Sequence, residues 1–511
     1  MDALFISPGN TKGIYQDLAT TYAAIEPPTW SLLLAESCRS VGYKVAICDA
    51  NAEQLDAEDV LQRVKKLNPR IICFVVYGQN VNAGTVNMSG AIYLSEHLKA
   101  NNIKTPIAYV GSHVQALPIK ALRDEPSIDF CFTNEGVYAL RNILSLDKID
   151  IHNMEDIKGI VWRKDGKPTF NPSEAVVPRD RMDIDLPGYA WDLLPCKDKP
   201  LDLYRAPMWH AEYDETKRSP YAAIQTSLGC QFGCNFCMIN ILNRNDEEEV
   251  GVAGNYSLMR HWSPEFIIKE FDKLAELGVY TIKITDELFL FNKKYYEPLC
   301  QALSQRPYVD KLTMWAYSRI DTIRRPDLLT TVRAAGIKWL ALGIESGEKS
   351  VRLEVAKGKF EEVDIKKVVN QIHEAGINVM GNYIFGLPGD TQASMRKTLD
   401  LSKSLCTMGW NAYAAMSLPG SQLYRDALDK GYDLPQTYEG YSFLGYDTLP
   451  APTDKCTAAE ILKFRDDAYN EYHNYEPFLN IVREKYGQER VDNIKEMTKV
   501  KLKRKLYSDV E

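Results

Sequence analysis

Tyr221-Ala222-Ala223-Ile224-Gln225-Thr226-Ser227-Leu228-Gly229-Cys230-Gln231-Phe232-Gly233-Cys234-Asn235-Phe236-Cys237 runs from an apolar strand directly into a loop with three closely spaced cysteines. The strand, read over residues 222–227, opens a series in which strands and helices alternate. Further strands are expected at 280–285, 312–317, 338–343, 379–385 and 411–417, with helices at 264–277, 293–305, 326–335, 360–375 and 391–408. Six such units predict a partial (β/α)6 barrel, smaller than the full eight of a TIM barrel. The loop carries the chemistry. Three thiolates from one tight turn can ligate three irons of a cubane [4Fe-4S] cluster and leave the fourth iron open. Gly229 and Gly233 let the backbone close around such a cluster and turn amides toward its sulfides. A structural zinc site needs a fourth ligand, and no Cys or His occurs between 238 and 260. A redox pair of Cys234 and Cys237 leaves Cys230 without a task.

Upstream, a second α/β pattern occupies the first 145 residues. Strands are expected at 2–6, 43–49, 71–77, 106–110 and 128–132. Helices are expected through Trp30–Cys38, at 56–67 and at 86–101. These strands are apolar on both faces, which predicts a doubly wound parallel sheet of Rossmann-like type. Ligands in that architecture sit at the carboxyl ends of the strands. Here those ends carry Pro8-Gly9-Asn10, Tyr77-Gly78-Gln79-Asn80, Gly111-Ser112-His113 and Glu135-Gly136. The division expected is a first domain over 1–145, a connecting segment over 146–215 with a hairpin at 161–168, the partial barrel over 216–420, and a small helical region over 421–511. The Tyr-rich stretch at 438–446 is either a lid over the barrel mouth or packing for the last helices.

Composition narrows the function classes. The 511 residues are 45% hydrophobic and 25% charged with a net charge of −8, which argues against a nucleic-acid binder with a basic footprint. The basic run Lys499–Lys505 reads as a solvated helix end suited to the helix dipole. The acidic run Asp246-Glu247-Glu248-Glu249 reads as a solvated loop. No segment approaches the roughly 20 apolar residues that span a bilayer. The first eight residues lack a basic n-region and read as a buried strand rather than a signal peptide. A cytoplasmic location follows as the expectation, with reduced thiols. Of the eleven cysteines, eight are scattered singly, seven of them in or beside apolar stretches, and only the three in the loop are clustered.

The CxxxCxxC loop, with Phe236 before its last cysteine on the first strand of a β/α series, resembles the radical S-adenosylmethionine (SAM) superfamily. The resemblance implies that SAM binds the fourth iron and is reductively cleaved to a 5′-deoxyadenosyl radical, chemistry no side chain supplies. It also implies roles for matching positions. Asp286 and Glu287, ending the second strand, fall where the family grips the SAM amino group. Arg319, after the third, meets the SAM carboxylate. Glu345, in Gly343-Ile344-Glu345-Ser346-Gly347, accepts from the ribose hydroxyls. Gly386, in Phe385-Gly386-Leu387-Pro388-Gly389, flanks adenine together with Phe236. Taken singly, Glu345 could equally be a helix N-cap, Asp286 and Glu287 a solvated loop, and Gly386 a turn.

The first half is similar to the cobalamin-binding domain fused to one large radical SAM subgroup. Glu26-Pro27-Pro28, Gly111–Pro118, Asn134-Glu135-Gly136, Trp209-His210 and Arg260–Glu265 carry this likeness. It implies cobalamin against Pro8, Tyr77, Gly78, Gln79, Asn80, Gly111, Ser112, His113, Glu135 and Gly136, with the residues after strand 71–77 near the lower corrin face. The Asp-x-His-x-x-Gly motif that places a histidine under cobalt in mutases is absent, as in the subgroup generally. His113 is the nearest substitute and reads equally as a phosphate contact or a packed core histidine. The function implied is a cobalamin-dependent radical SAM enzyme that methylates an unactivated carbon of a small molecule through methylcobalamin. The partner implied is an electron donor such as flavodoxin or ferredoxin. A cyclase or rearrangement enzyme on the same scaffold, or a non-catalytic corrinoid or iron–sulfur carrier, are the alternatives.

Overall fold

The computed structural model describes residues 1–9, 11–78, 81–207, 214–323, 325–355 and 363–507. Its first sheet forms where the sequence is apolar on both strand faces. β1 (Ala3–Ser7), β2 (Val45–Asp49), β3 (Ile71–Val75), β4 (Ile107–Val110) and β5 (Phe130–Phe132) are almost wholly buried. Such strands need helices on each side. The helix Ala57–Leu67 shows how one is set locally. Asp56 and Asp59 form a capping box at its start, and Asn68 closes it in the left-handed conformation at φ 43.

Strand order in this part is β2-β1-β3-β4-β5, all parallel. The direction of winding reverses between β1 and β3, so the crevice for a ligand lies at their carboxyl ends. Those ends carry Pro8 and Tyr77-Gly78. Gln79 and Asn80, expected beside them, lie outside the described residues, as do Trp209 and His210.

The hairpin expected in the connecting segment belongs to this sheet. β6 (Ile160–Lys164) and β7 (Lys167–Phe170) turn through Asp165 and Gly166, both at positive φ, and β6 pairs antiparallel with β5. The sheet therefore runs on past residue 145. β5 has only three residues, and the hairpin covers what would be an open edge.

The second sheet begins at β8 (Tyr221–Ile224). A two-residue strand, β9 (Ser227–Leu228), pairs antiparallel with β10 (Arg260–His261) and fixes both ends of the cysteine-bearing segment. β11 (Thr281–Ile284), β12 (Thr313–Arg319), β13 (Ile337–Glu345), β14 (Asn378–Phe385) and β15 (Gly409–Ala414) complete six parallel strands in the order β15-β14-β13-β12-β11-β8. This is the partial barrel expected. Helices such as Pro264–Glu276 and Gln392–Leu405 cover its outer face.

The last helices, Ala458–His473, Glu476–Tyr486 and Gln488–Lys499, pack beside β15, with Trp410 stacked on Tyr472 at 5.1 Å. The Tyr-rich stretch ahead of them straps back onto the first sheet. Tyr438 donates to Glu125 at 2.6 Å and meets the His113 ring edge-on, and the Ser442 hydroxyl donates to the Ile14 carbonyl. The basic run is a solvated end except at Arg504. That guanidinium is fully buried on Asp466 and the carbonyls of Phe443 and Gly445. No helix among the described residues is long and apolar enough to cross a membrane.

Candidate functional site

The cysteine loop is shaped before any ligand arrives. Gly229 sits at φ +78, and a Cβ there would lie 2.1 Å from the Leu258 carbonyl oxygen, so only glycine lets the chain turn out of β9. Asn240 then pins the turn from inside. Its Oδ1 accepts from Cys230 N at 2.8 Å and its Nδ2 donates to Phe232 O at 3.0 Å. Backbone amides of Phe232 and Ile239 point at the sulfurs of Cys230 and Cys237, at 3.4 and 3.5 Å.

Burial, then the neighbouring thiols and Glu287, pushes the Cys230 thiol up to about 12 and Cys237 well above the usual range. Burial raises Cys234 to about 11 against the pull of Arg319. Buried thiols of this kind become thiolates only on a bound cation. Among the described residues no group of three or more His, Cys, Asp or Glu is placed to hold a single metal ion. A cubane asks for something different, one thiolate on each of three irons. The donor set, the inward amides and the glycine turn fit that group.

The residues expected around SAM separate into two kinds. Glu287 and Glu345 are half-buried carboxyls pushed up to about 7 and about 8, by loss of solvation first. Lys283 and Arg319 respectively oppose the rise, and no hydrogen bond from a described residue contributes. Glu345 also has φ +65, at a register shift between β13 and β14. A Cβ on Gly343 would stand 2.4 Å from its Oε1, so the glycine makes room for the folded-back side chain. Backbone conformations of this kind are held at ligand sites by their surroundings. Both carboxyls can accept hydrogen bonds from a ligand.

Asp286 cannot. Its two oxygens already accept from Thr226 N, Thr226 Oγ1 and Ser227 Oγ, each at 2.6 Å, so it braces the segment leading to Cys230 instead of gripping an amino group. Arg319 is held by Asp321 through two bonds of 2.6 Å. It lies 3.8 Å over the Phe232 ring and 3.9 Å from Cys234 Sγ, which puts its charge beside the cysteine loop.

Gly386, at φ +83, starts a turn closed by Asp390, whose Oδ2 accepts from Gly386 N and Leu387 N at 3.1 Å. Phe236 packs into the apolar group containing Leu387 and Ile384. The cysteine loop and the fifth strand end thus meet.

In the first domain the strand ends reach the cysteine loop directly. Tyr77 receives a 2.5 Å hydrogen bond from Gln115 Nε2 and stands beside Trp30. It also packs on the apolar group shared by Ala116, Leu117, Cys230 and Met238. Gln115 Oε1 is buried and has no hydrogen-bond partner among the described residues. A Cβ at Gly111 would lie 2.1 Å from Val76 O, and one at Gly78 would lie 2.4 Å from Ala83 Cβ. Ser112 and Gly136 are buried, and Pro8 is half-buried. An orphan acceptor and closely packed glycine turns after β3 and β4 fit a large ligand approaching the strand ends.

Two residues expected at that ligand have other work. His113 is a packed core histidine, with Nδ1 3.3 Å from Thr85 Oγ1, and burial lowers it to about 3. Glu135 pairs with Arg260 at 2.7 Å and accepts from Val177 N at 2.5 Å, while Arg260 NH2 also donates to Asn243. It locks the first domain to β10. A second buried pair, Lys283 with Glu26 at 2.7 Å, joins the same two domains inside the barrel. Lys283 was visible as a lone charge in an apolar strand, but nothing in the sequence named its partner. Asn240 and Asn82, which also hold the loop, carried no signal.

Residues 224–402 match the model of the radical SAM superfamily, and residues 15–144 match that of the B12 binding domain. The chain is similar to an uncharacterized methyltransferase of Pyrococcus horikoshii, 24% identical over 447 residues and covering 86% of each chain. It is also similar to cytidylyl-2-hydroxyethylphosphonate methyltransferase of Streptomyces wedmorensis, 24% identical, covering 79% of this chain and 78% of that one. Among solved structures, the radical SAM methyltransferase TsrM of Kitasatospora setae, with cobalamin and a [4Fe-4S] cluster bound, shares the fold. Its TM-score is 0.63 at 15% identity, over 84% of this chain and 78% of that one.

Proposed function

We propose that this chain is a radical SAM enzyme with an amino-terminal B12-binding domain, and that it methylates an unactivated carbon of a small molecule in a cobalamin-dependent reaction. One observation carries the reading. The carboxyl ends of the first sheet, through Tyr77 and the Ala116-Leu117 turn, pack on the loop that bears Cys230. Two cofactor sites on facing strand ends suit a reaction that needs both. Together the bound groups supply the electron that cleaves SAM, a hydrogen-abstracting fragment, and a methyl group carried on cobalt.

The chain's residues do the rest. Cys230, Cys234 and Cys237 hold the cluster. Glu287 and Glu345 accept from the amino group and ribose of SAM, and Phe236 and Gly386 flank its adenine. Arg319, fixed by Asp321, places a positive charge between the cysteine loop and the SAM carboxylate. Pro8, Tyr77, Gly78, Gly111, Ser112 and Gly136 line the corrinoid site. A protein of the flavodoxin or ferredoxin type delivers electrons, and the reducing cytoplasm suits the free thiols.

Labelled SAM tests the reading without a known substrate. The anaerobic, cluster-loaded protein with cobalamin, a reductant and methyl-labelled SAM is expected to label cobalamin and release S-adenosylhomocysteine. SAM cleaved to 5′-deoxyadenosine with no labelled cobalamin would replace methyl transfer by cyclisation or rearrangement. No SAM turnover at all would favour a carrier.

A further inference from the structure

The turn after β3 reaches out of the first domain and touches the cysteine loop through one side chain. Asn82 Oδ1 accepts from Met238 N at 3.0 Å, and its Nδ2 lies 3.9 Å from Cys237 Sγ, a long N–H···S contact. The two described ends of the turn are packed together. A Cβ at Gly78 would press on Ala83 at 2.4 Å, and Asn87 Nδ2 donates to the Tyr77 carbonyl at 3.1 Å, tying the strand end to the helix that follows. Gly84 closes against Ser112 and the Val76 carbonyl. Gly78 therefore bears directly on Ala83, the neighbour of Asn82. Met238, in turn, is fully buried against Ala116 and Leu117, so the loop's far side is also seated on the first domain.

We propose that Asn82 is a positioning residue that couples occupancy of the first domain's strand ends to the reduction potential of the cluster held by Cys230, Cys234 and Cys237. The inference rests on the function proposed above. Its physical basis is general: a hydrogen bond to a cluster sulfur stabilises the more negative, reduced state and raises the potential. Among the described residues, Asn82 is the donor to Cys237 that comes from the other domain. The remaining amides at these sulfurs, from Phe232 and Ile239, belong to the loop itself. A corrinoid seated at Tyr77-Gly78 sets the turn, the turn sets the Asn82 amide, and the amide sets how easily the cluster accepts its electron.

The test is an anaerobic redox titration of the reconstituted protein, followed by cluster absorbance, with and without hydroxocobalamin. The wild-type potential is expected to shift on adding cobalamin. In Asn82→Ala, with iron and sulfide content unchanged, the potential is expected to be more negative and its cobalamin-dependent shift to be lost. Asn82→Gln, which keeps an amide donor, is expected to recover part of both. An Asn82→Ala potential equal to wild type, or a cobalamin shift that survives the substitution unchanged, would overturn the proposal. Should Asn82→Ala load no cluster, the wild-type titration decides alone, because a potential indifferent to cobalamin overturns the coupling by itself. A wild-type protein that forms no cluster refutes the proposed function instead.

Discussion

Removing the Glu135 carboxylate is expected to loosen the joint between the domains, not to empty a cofactor site. Glu135 and Arg260 are 1% and 0% exposed and stand 2.7 Å apart. Glu135 Oε1 also accepts from Val177 N, and its backbone amide donates to Leu242 O. Truncation to alanine leaves a guanidinium buried without its counter-charge. Breaking one partner out of a buried pair costs about 3–5 kcal/mol, whereas an exposed pair is worth about 0.2–1 kcal/mol. Arg260 keeps Asn243 Oδ1 and Val177 O as acceptors, which places the expectation at the lower end, about 3 kcal/mol. The assay is urea unfolding of Glu135→Ala, Arg260→Met and the double variant, followed by tryptophan fluorescence. The double variant should be less destabilised than the sum of the singles, because it leaves no orphaned charge. A Glu135→Ala protein of near wild-type stability that fails to bind cobalamin would refute the reasoning and return Glu135 to the corrinoid site.

Asp286→Ala strips three short bonds from Thr226 and Ser227, at about 1–3 kcal/mol for each buried donor left unpaired, and iron content after reconstitution is expected to fall. Glu287→Gln, one residue on, should load iron normally and weaken SAM binding by about tenfold, the loss of one charge-assisted hydrogen bond; equal iron loss in both would contradict the division of labour. His113 and His473 are lowered by burial to about 3 and about 4. The unfolded chain then binds more protons below about pH 6.5, and the stability they contribute is full above that pH and lost as pH falls toward 4, by up to about 1.4 kcal/mol per pH unit for each group. Melting curves from pH 7 to 5 should show the fall, and His113→Gln should flatten it. Gly386→Ala combines φ +83 with a Cβ placed 2.6 Å from Ile461, for a cost of about 1–3 kcal/mol, and Ile461→Ala in the same chain should restore part of the melting temperature.

Both sheets were legible because their strands are apolar on both faces and end in Gly, Pro and Asn turns, features that depend on nearest neighbours in sequence. The cysteine loop was legible for the same reason: its spacing is local. Pairing at a distance was not. The Asp165-Gly166 turn announced a hairpin, but only the folded chain shows that the hairpin protects β5. Asp286 and Glu287 are adjacent carboxyls just past one strand end, and only the folded turn shows that the first reaches back to Thr226 while the second has no hydrogen bond from a described residue. Glu135 looked like a ligand because it ends a strand next to glycine; its partner is 125 residues away. Arg504, in a run of surface cations, is buried because Asp466 and three carbonyl or hydroxyl oxygens await it, something no charge pattern encodes.

The central claim is that three cysteines mount a cluster whose fourth iron is kept for SAM. Electron paramagnetic resonance of the reduced, reconstituted protein tests it most directly. A [4Fe-4S] signal that changes on adding SAM is expected, with no such signal in Cys234→Ala. A wild-type signal that SAM leaves unaltered, or a Cys234→Ala protein with an intact SAM-responsive cluster, would contradict it.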